Sequence, residues 1–358
     1  MRNLFLISLM LVQSVFAAPF EKALPGKKFE FPKDDFEHTN FKTEWWYFTG
    51  NLQDETGKQF GYQLTFFRNA MGDQIHAASR KSLWASDQLV MAHFAVTDVD
   101  NKIHQSYEKI RRNLPQVAGF SKDPWSIHIQ PWSIVYISEG KYQLTAAQDE
   151  LKLNITCSQS KPRVFQGDHG YSRKGKDVGN ASYYLSFTRM KTEGTLQIQN
   201  KTYRVLGESW MDHEISTSAL DENQAGWDWF AIQFEGGEEL MIYQLRDQDG
   251  KQGEFSSGTW IDAKGLSRTL SFKDFTLQPQ RFWKSKRTKT SYPVQWNVIV
   301  PSLNLNLNVS AKVENQEMNT SIPYWEGTID VSGSHKGQGY LELTGYGETL
   351  SLFLGGKK

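Results

Sequence analysis

The 358-residue chain has one cysteine, Cys157. No intramolecular disulfide is possible, so the fold must be held by its core alone, which a chain of this length can supply. Cys157 sits in the alternating run "LKLNITCSQS" and reads as a buried strand residue rather than a nucleophile. Net charge is also missing. Forty basic residues balance forty acidic ones, which argues against a nucleic-acid partner and gives no reason to expect a polyanionic substrate. No stretch holds a helical period with recognisable caps. The eight histidines are scattered without HExxH-type spacing, so no dedicated metal site is expected. P-loop, GxGxxG and GxSxG patterns are all missing, and nothing calls for a cofactor.

Long apolar runs are missing too, except at the start. "MRNLFLISLMLVQSVFAAP" has Arg2 as its charged head, an apolar Leu4–Val12 and small residues near Ala17. This is the pattern of a secretory signal peptide over residues 1–18. The expectation is an exported chain, periplasmic or extracellular, that is soluble after cleavage behind Ala17 or Ala18.

What the chain does have is aromatics, glycine and alternation. Twelve Trp, 14 Tyr and 22 Phe accompany 28 Gly. Period-2 runs recur, the clearest being "LNLNLNVSAKV" (303–313), separated by turn signals such as "DETGK", "EGGEE" and "DAKG". This predicts an all-β protein of antiparallel meanders.

The stretch "EWWYFTGNL" (44–52) has an echo in "GWDWFAIQF" (226–234), pairing Trp45 with Trp227 and Tyr47 with Trp229. A Tyr-Gln-Leu triplet follows each, at Tyr62 and at Tyr243. The ends "TYRVLGESW" (202–210) and "GYLELTGYG" (339–347) echo more weakly. Two related β-barrel domains are expected, 19–218 and 219–358, with the insert 69–88 as either a lid or a long surface connection.

The main polar constellation is "GESWMDHEIS" (207–216). In a strand, Trp210, Asp212 and Glu214 share one face and His213 shares the other with Met211. The acids are either solvent-facing strand ends or enclosed carboxyls whose raised pKa suits proton delivery. Asp212, His213 and Tyr243 are the candidate catalytic groups. Glu44, Trp46, Tyr47, Trp210, Trp227 and Asp228 are candidate ligand-binding residues, since acids beside aromatics recur at the start of both units. Such a pairing suits a developing carbocation, and it equally suits barrel-closing packing with an acid at the rim.

"EWWYFTGNL", "MAHFAVTD", "GYSRKG", "ASYYLSFTRM", "GESWMDHE", "GWDWFAIQF" and "YWEGTIDVSG…GQGYLELTGY", in this order, resemble the AttH-like, carotenoid 1,2-hydratase (hydroxyneurosporene synthase) family over about residues 40–350. The resemblance implies two lipocalin-like barrels. It implies hydration of a terminal alkene in some relatives, pericyclic or cyclising steps in others, and hydrolase assignments or ABC-type transporter neighbours for many exported members. The hydratase pattern has His-x-Trp and Tyr-x-Asp. Here His213 and Tyr243 are present, while Ile215 and Leu245 replace the Trp and the Asp. The expected ligand is an extended apolar molecule, a lipid or polyene, held near the junction. Turnover and non-catalytic carriage beside a transporter both stay open.

Overall fold

The computed structural model describes residues 20–71, 87–114, 116–218, 221 and 223–347. The signal-peptide stretch and most of the insert 69–88 lie outside them. The chain folds into two antiparallel sheets, one of thirteen strands between Thr43 and Ser216 and one of nine between Gln224 and Leu343. This is the duplicated, lipocalin-like two-barrel fold.

Alternation dictates the layering. In Leu305–Ala311, Leu305, Leu307 and Val309 are buried while Asn306 and Asn308 face solvent. Two runs that read as continuous in sequence are hairpins instead. Residues 125–137 split at Gln130–Pro131, where a proline cannot donate to the ladder, and 195–207 split at Gln199–Asn200. Each interior is filled by its own side chains: Trp46, Phe48, Tyr62, Phe66, Trp132 and Tyr142 in the first barrel, Phe230, Trp296, Leu307 and Trp325 in the second. Cys157 is fully buried in the first.

The strand Thr43–Asp54 lies between Gln59–Ala70 and Lys201–Ser216. Its counterpart Gln224–Phe234 lies between Glu239–Asp247 and Gly337–Leu343. Trp45 and Trp227 both turn toward the other barrel, as the echo requires. The Tyr-Gln-Leu triplets, however, are not equivalent. Tyr62 stands opposite Gly50 and points into the first barrel, while Tyr243 stands opposite Trp229 and points out toward the junction. Their spacing from the tryptophans differs by one residue, and one residue in a strand changes the face.

The end echo also shifts. Thr49, Tyr47 and Trp45 pair with Trp210, Asp212 and Glu214. Ala231 and Trp229 pair with Tyr340 and Glu342, and Thr344 N donates to Trp227 O. The register therefore matches Trp210 with Tyr340, not with Gly347, and matches Asp212 with Glu342.

The barrels dock through the outer faces of these strands. Asn51 Nδ2 donates to Gly339 O at 3.2 Å, Gln233 Nε2 donates to Thr188 O at 2.8 Å, and His93 Nδ1 meets Tyr324 Oη at 2.9 Å. A bulge between Phe187 and Met190 carries Arg189, whose Nε donates to Glu239 Oε1 at 2.6 Å. Lys161 Nζ reaches the other oxygen of Glu239 at 2.8 Å. Glu239 is fully buried, so two cations of one barrel clamp one acid of the other.

Candidate functional site between the barrels

Period-2 alternation turns every second residue of the central strands outward, and here outward means into the other barrel. Tyr47, Tyr184, Trp210, Trp229, Met241, Tyr243 and Tyr340 form a buried layer, with Trp45, Trp227 and Phe255 at its edge. Asp212 is embedded in it. Tyr184 Oη and Ser186 Oγ donate to Asp212 at 2.6 and 2.5 Å, and Trp210 Nε1 donates at 2.7 Å. Trp229 of the second barrel donates to Tyr184 Oη at 3.0 Å, so the acid's hydrogen-bond network spans the docking surface. Burial pushes the Asp212 carboxyl up to about 7, against the downward pull of its three donors.

The second barrel answers with Glu342. Burial, with added negative charge from Glu214 and Asp212, pushes it up to about 7 although Trp227 hydrogen-bonds it. Glu326, directly across the ladder from Glu342, is raised well above the carboxylate range by burial and then by Glu342 itself. The hydroxyls of Tyr47 and Tyr324 face the Glu326 carboxyl and pull its pKa down against that rise, in contacts longer or less well aligned than an ordinary hydrogen bond. Trp45, Trp227 and Glu342 keep part of their surface.

A different pole forms at Tyr243. Its hydroxyl meets Ser172 Oγ at 3.1 Å, and Lys174 Nζ sits 4.1 Å from its ring centre and 3.6 Å from Glu214. Burial alone would lower the Lys174 pKa, but the Glu214 charge raises it, so the ammonium persists. Glu214 also accepts from Ser182.

The candidate residues thus divide. Asp212, Tyr243, Tyr47, Trp210 and Trp227 come together in the layer between the barrels. His213, Glu44 and Trp46 do not: they lie inside the first barrel. Asp212 and His213 are sequence neighbours on opposite strand faces, so they cannot act as one reactive pair. His213 Nε2 donates to Glu44 Oε1 at 2.8 Å and its ring stacks on Trp46 at 4.8 Å, with Nδ1 unpaired. His38 Nδ1 meets the same Glu44 oxygen at 2.8 Å, and Arg68 Nε donates to the other at 3.1 Å. Burial would raise Glu44, but the His213 and His38 contacts hold it well below the usual range. Burial lowers His213 and outweighs Glu44, leaving a neutral ring. The donor atoms of His38, Glu44 and His213 lie within 4.8 Å of one another, and the ion pairs and hydrogen bonds above account for that convergence. Asp228 lies inside the second barrel, held by Arg246 at 3.1 Å and Gln244 at 2.5 Å. Cavities of about 540 and 140 Å³ open at the N-terminal segment around Lys27 and Tyr183, away from the layer.

Glu342, Glu326, Tyr184, Lys174 and Ser172 escaped the sequence reading. Aligning "SWMDHE" with "GYLELT" would have found Glu342, because it puts acid on acid.

The sequence profile of the AttH-like family matches residues 22–346. The chain belongs to the AttH-like family. A protein assigned as AttH from Nitrosomonas europaea has a crystal structure that is 33% identical and covers 91% of this chain and 99% of its own, with a TM-score of 0.81. Kievitone hydratase from Nectria haematococca shares the fold at 16% identity, covering 92% of this chain and 98% of its own, with a TM-score of 0.70. No curated protein sequence matches the chain. The matched span of this AttH-like protein takes in both sheets and every residue of the layer between them.

Proposed function

We propose that the layer between the barrels binds an extended apolar molecule, a lipid or polyene, and adds water across one of its alkenes. Asp212 carries this reading: it is a carboxyl with a pKa near neutral, oriented by three donors and surrounded by aromatic rings. The likeness of the fold to kievitone hydratase is in keeping with it. In this scheme Asp212 delivers its proton to one alkene carbon, and the cationic centre left on the other faces the aromatic rings and the remaining carboxyls. Water attacks that centre, and the proton it loses passes to the Glu342 carboxylate. The sum is one water added, with no change of oxidation state and no cofactor required. Transfer of the proton from Glu342 back to Asp212 through solvent resets the site.

The chain is read as an exported protein acting outside the cytoplasm. The test incubates purified mature protein with an acyclic carotenoid and follows formation of the water adduct by mass spectrometry. An adduct made by the natural protein and lost in Asp212→Asn supports the hydratase. Saturable binding with no adduct would replace it with carriage of apolar cargo, the role suited to an accessory of an ABC-type transporter.

A further inference from the structure

The chain is neutral as a whole, but its charges are unevenly spread. No Asp or Glu occurs between Asp274 and Glu314, and within that span residues 281–289, "RFWKSKRTK", carry five cations in nine positions. The run is the tip of a hairpin made by Thr276–Lys284 and Ser291–Val300, and Thr276–Lys284 is an outermost strand of the second sheet. The tip is firmly built. Ser285 is buried, donates to Glu317 Oε2 at 2.7 Å and accepts from Arg287 N and Thr288 N at 3.1 Å. Arg287 pairs with Glu317 and Arg281 with Glu314, so two of the cations are neutralised within the fold. Lys284, Lys286 and Lys289 are exposed, and no acid among the described residues pairs with them.

Beside them stands Phe282, 53% exposed. Phe282 and Lys284 share the outward face of the strand, while Trp283 points the other way and stacks on Tyr292 with ring centres 6.4 Å apart. Bulges at Pro279–Arg281 and Arg281–Phe282, and the missing N–H of Pro279, spoil this edge for pairing with another strand. The hairpin therefore offers side chains rather than backbone. A single exposed ring needs no explanation, and a charge run is ordinarily a solvated face. Together on a firm tip, in a stretch from which every acid is missing, they match a peripheral membrane contact. Cations meet anionic headgroups, and an aromatic ring enters the boundary beneath them. A polyanion in solution would use the cations and leave the ring idle.

We propose that the hairpin tip 281–289 docks the protein on a membrane surface rich in anionic phospholipid, with Lys284, Lys286 and Lys289 against the headgroups and Phe282 seated in the interface. This contact lies apart from the chemistry of the layer between the barrels and does not depend on it.

The test sediments the mature protein with vesicles of equal parts phosphatidylglycerol and phosphatidylcholine, and with vesicles of phosphatidylcholine alone. Binding is expected to the anionic vesicles only. It should be released on going from about 0.1 M to about 1 M salt, which shortens the screening length from about 10 Å to about 3 Å. The triple variant Lys284→Gln/Lys286→Gln/Lys289→Gln should weaken partitioning by about a hundredfold. Phe282→Ser should weaken it by about tenfold. A matched variant, Lys141→Gln/Lys152→Gln/Lys191→Gln, removes the same charge from exposed positions of the first barrel and should bind like the natural protein. Melting temperatures verify that each variant folds. Failure to sediment with anionic vesicles overturns the proposal, and so does an equal loss in the two triple variants, which would reduce the contact to overall charge. Retention on heparin as strong as on the vesicles, and indifferent to Phe282, would also overturn it, making the partner a soluble polyanion.

Discussion

Tyr47 and Trp229 meet edge to face, with ring centres 5.2 Å apart, and they occupy the same position in the two repeats. A contact between equivalent positions marks a local two-fold axis, as in an isologous dimer interface. Each is paired across its ladder with an acid, Tyr47 with Asp212 and Trp229 with Glu342. The duplication therefore brings two copies of one aromatic–carboxyl unit face to face, and in doing so buries Asp212 and covers most of Glu342.

If Asp212 is the proton donor, the rate of adduct formation should fall as pH rises through about 7. Asp212→Asn should lower turnover by about 10²–10⁴-fold. A pH–rate profile of the natural protein compared with Glu342→Gln separates the two groups. Turnover by Asp212→Asn with an unchanged alkaline limb would remove Asp212 from the chemistry.

The same carboxyls shape stability. Asp212 and Glu342 are raised in the folded state, so their contribution is fully present below about pH 4 and is lost as pH rises through about 7. For Asp212 alone this amounts to at most about 4 kcal/mol. Glu44 works in the opposite sense: its lowered pKa gives stability above about pH 4.5 that is lost on further acidification. The double variant Asp212→Asn/Glu342→Gln should flatten the fall in melting temperature between pH 4 and 7. Glu44→Gln should flatten the acid limb.

Glu44→Gln should also be costly at neutral pH. Arg68 is fully buried, and removal of its carboxylate leaves a guanidinium without its counter-charge. A loss of about 3–5 kcal/mol is expected in urea unfolding. A loss below about 1 kcal/mol would mean that the Phe41 carbonyl and Gln88 are enough to hold Arg68.

Docking of the barrels rests on Glu239 and on close backbone approach. Glu239→Gln leaves Lys161 and Arg189 facing a neutral amide and should cost about 3–5 kcal/mol. A Cβ at Gly61 would stand 2.9 Å from both Thr328 Cγ2 and Tyr340 Oη, so Gly61→Val should cost about 1–3 kcal/mol by wedging the barrels apart. Calorimetry should show one transition in the natural protein. Separation into two in either variant is the expected mark of undocking, and unchanged melting in both would show that this contact contributes little.

Export is checked by N-terminal sequencing of material secreted from an expressing cell, expected to begin just after Ala17 or Ala18. A chain that still begins at Met1 would rule out cleavage of the leader.

The all-β class, the two-fold repeat and the family were legible in the residues, because each depends on patterns that survive in one dimension. Alternation marks strands, and recurrent Trp-x-[Tyr/Trp]-Phe marks a repeated strand. Alternation also said that Asp212 and His213 point in opposite directions. It did not say what lies on either side. A face of a strand becomes a barrel interior or a docking surface only when the sheet closes and the second sheet arrives against it. That step sent His213 to Glu44 and Trp46 inside one barrel and Asp212 to Tyr184 and Trp229 between the two. Glu342 was hidden for a related reason. Its equivalence to Asp212 is a matter of ladder register, which depends on the lengths of turns far away in the chain, and a slip of a few letters in the end echo put Gly347 where Tyr340 belongs. The raised pKa of these acids likewise belongs to the tertiary structure, since only the meeting of two barrels removes the water that would have kept them ionised.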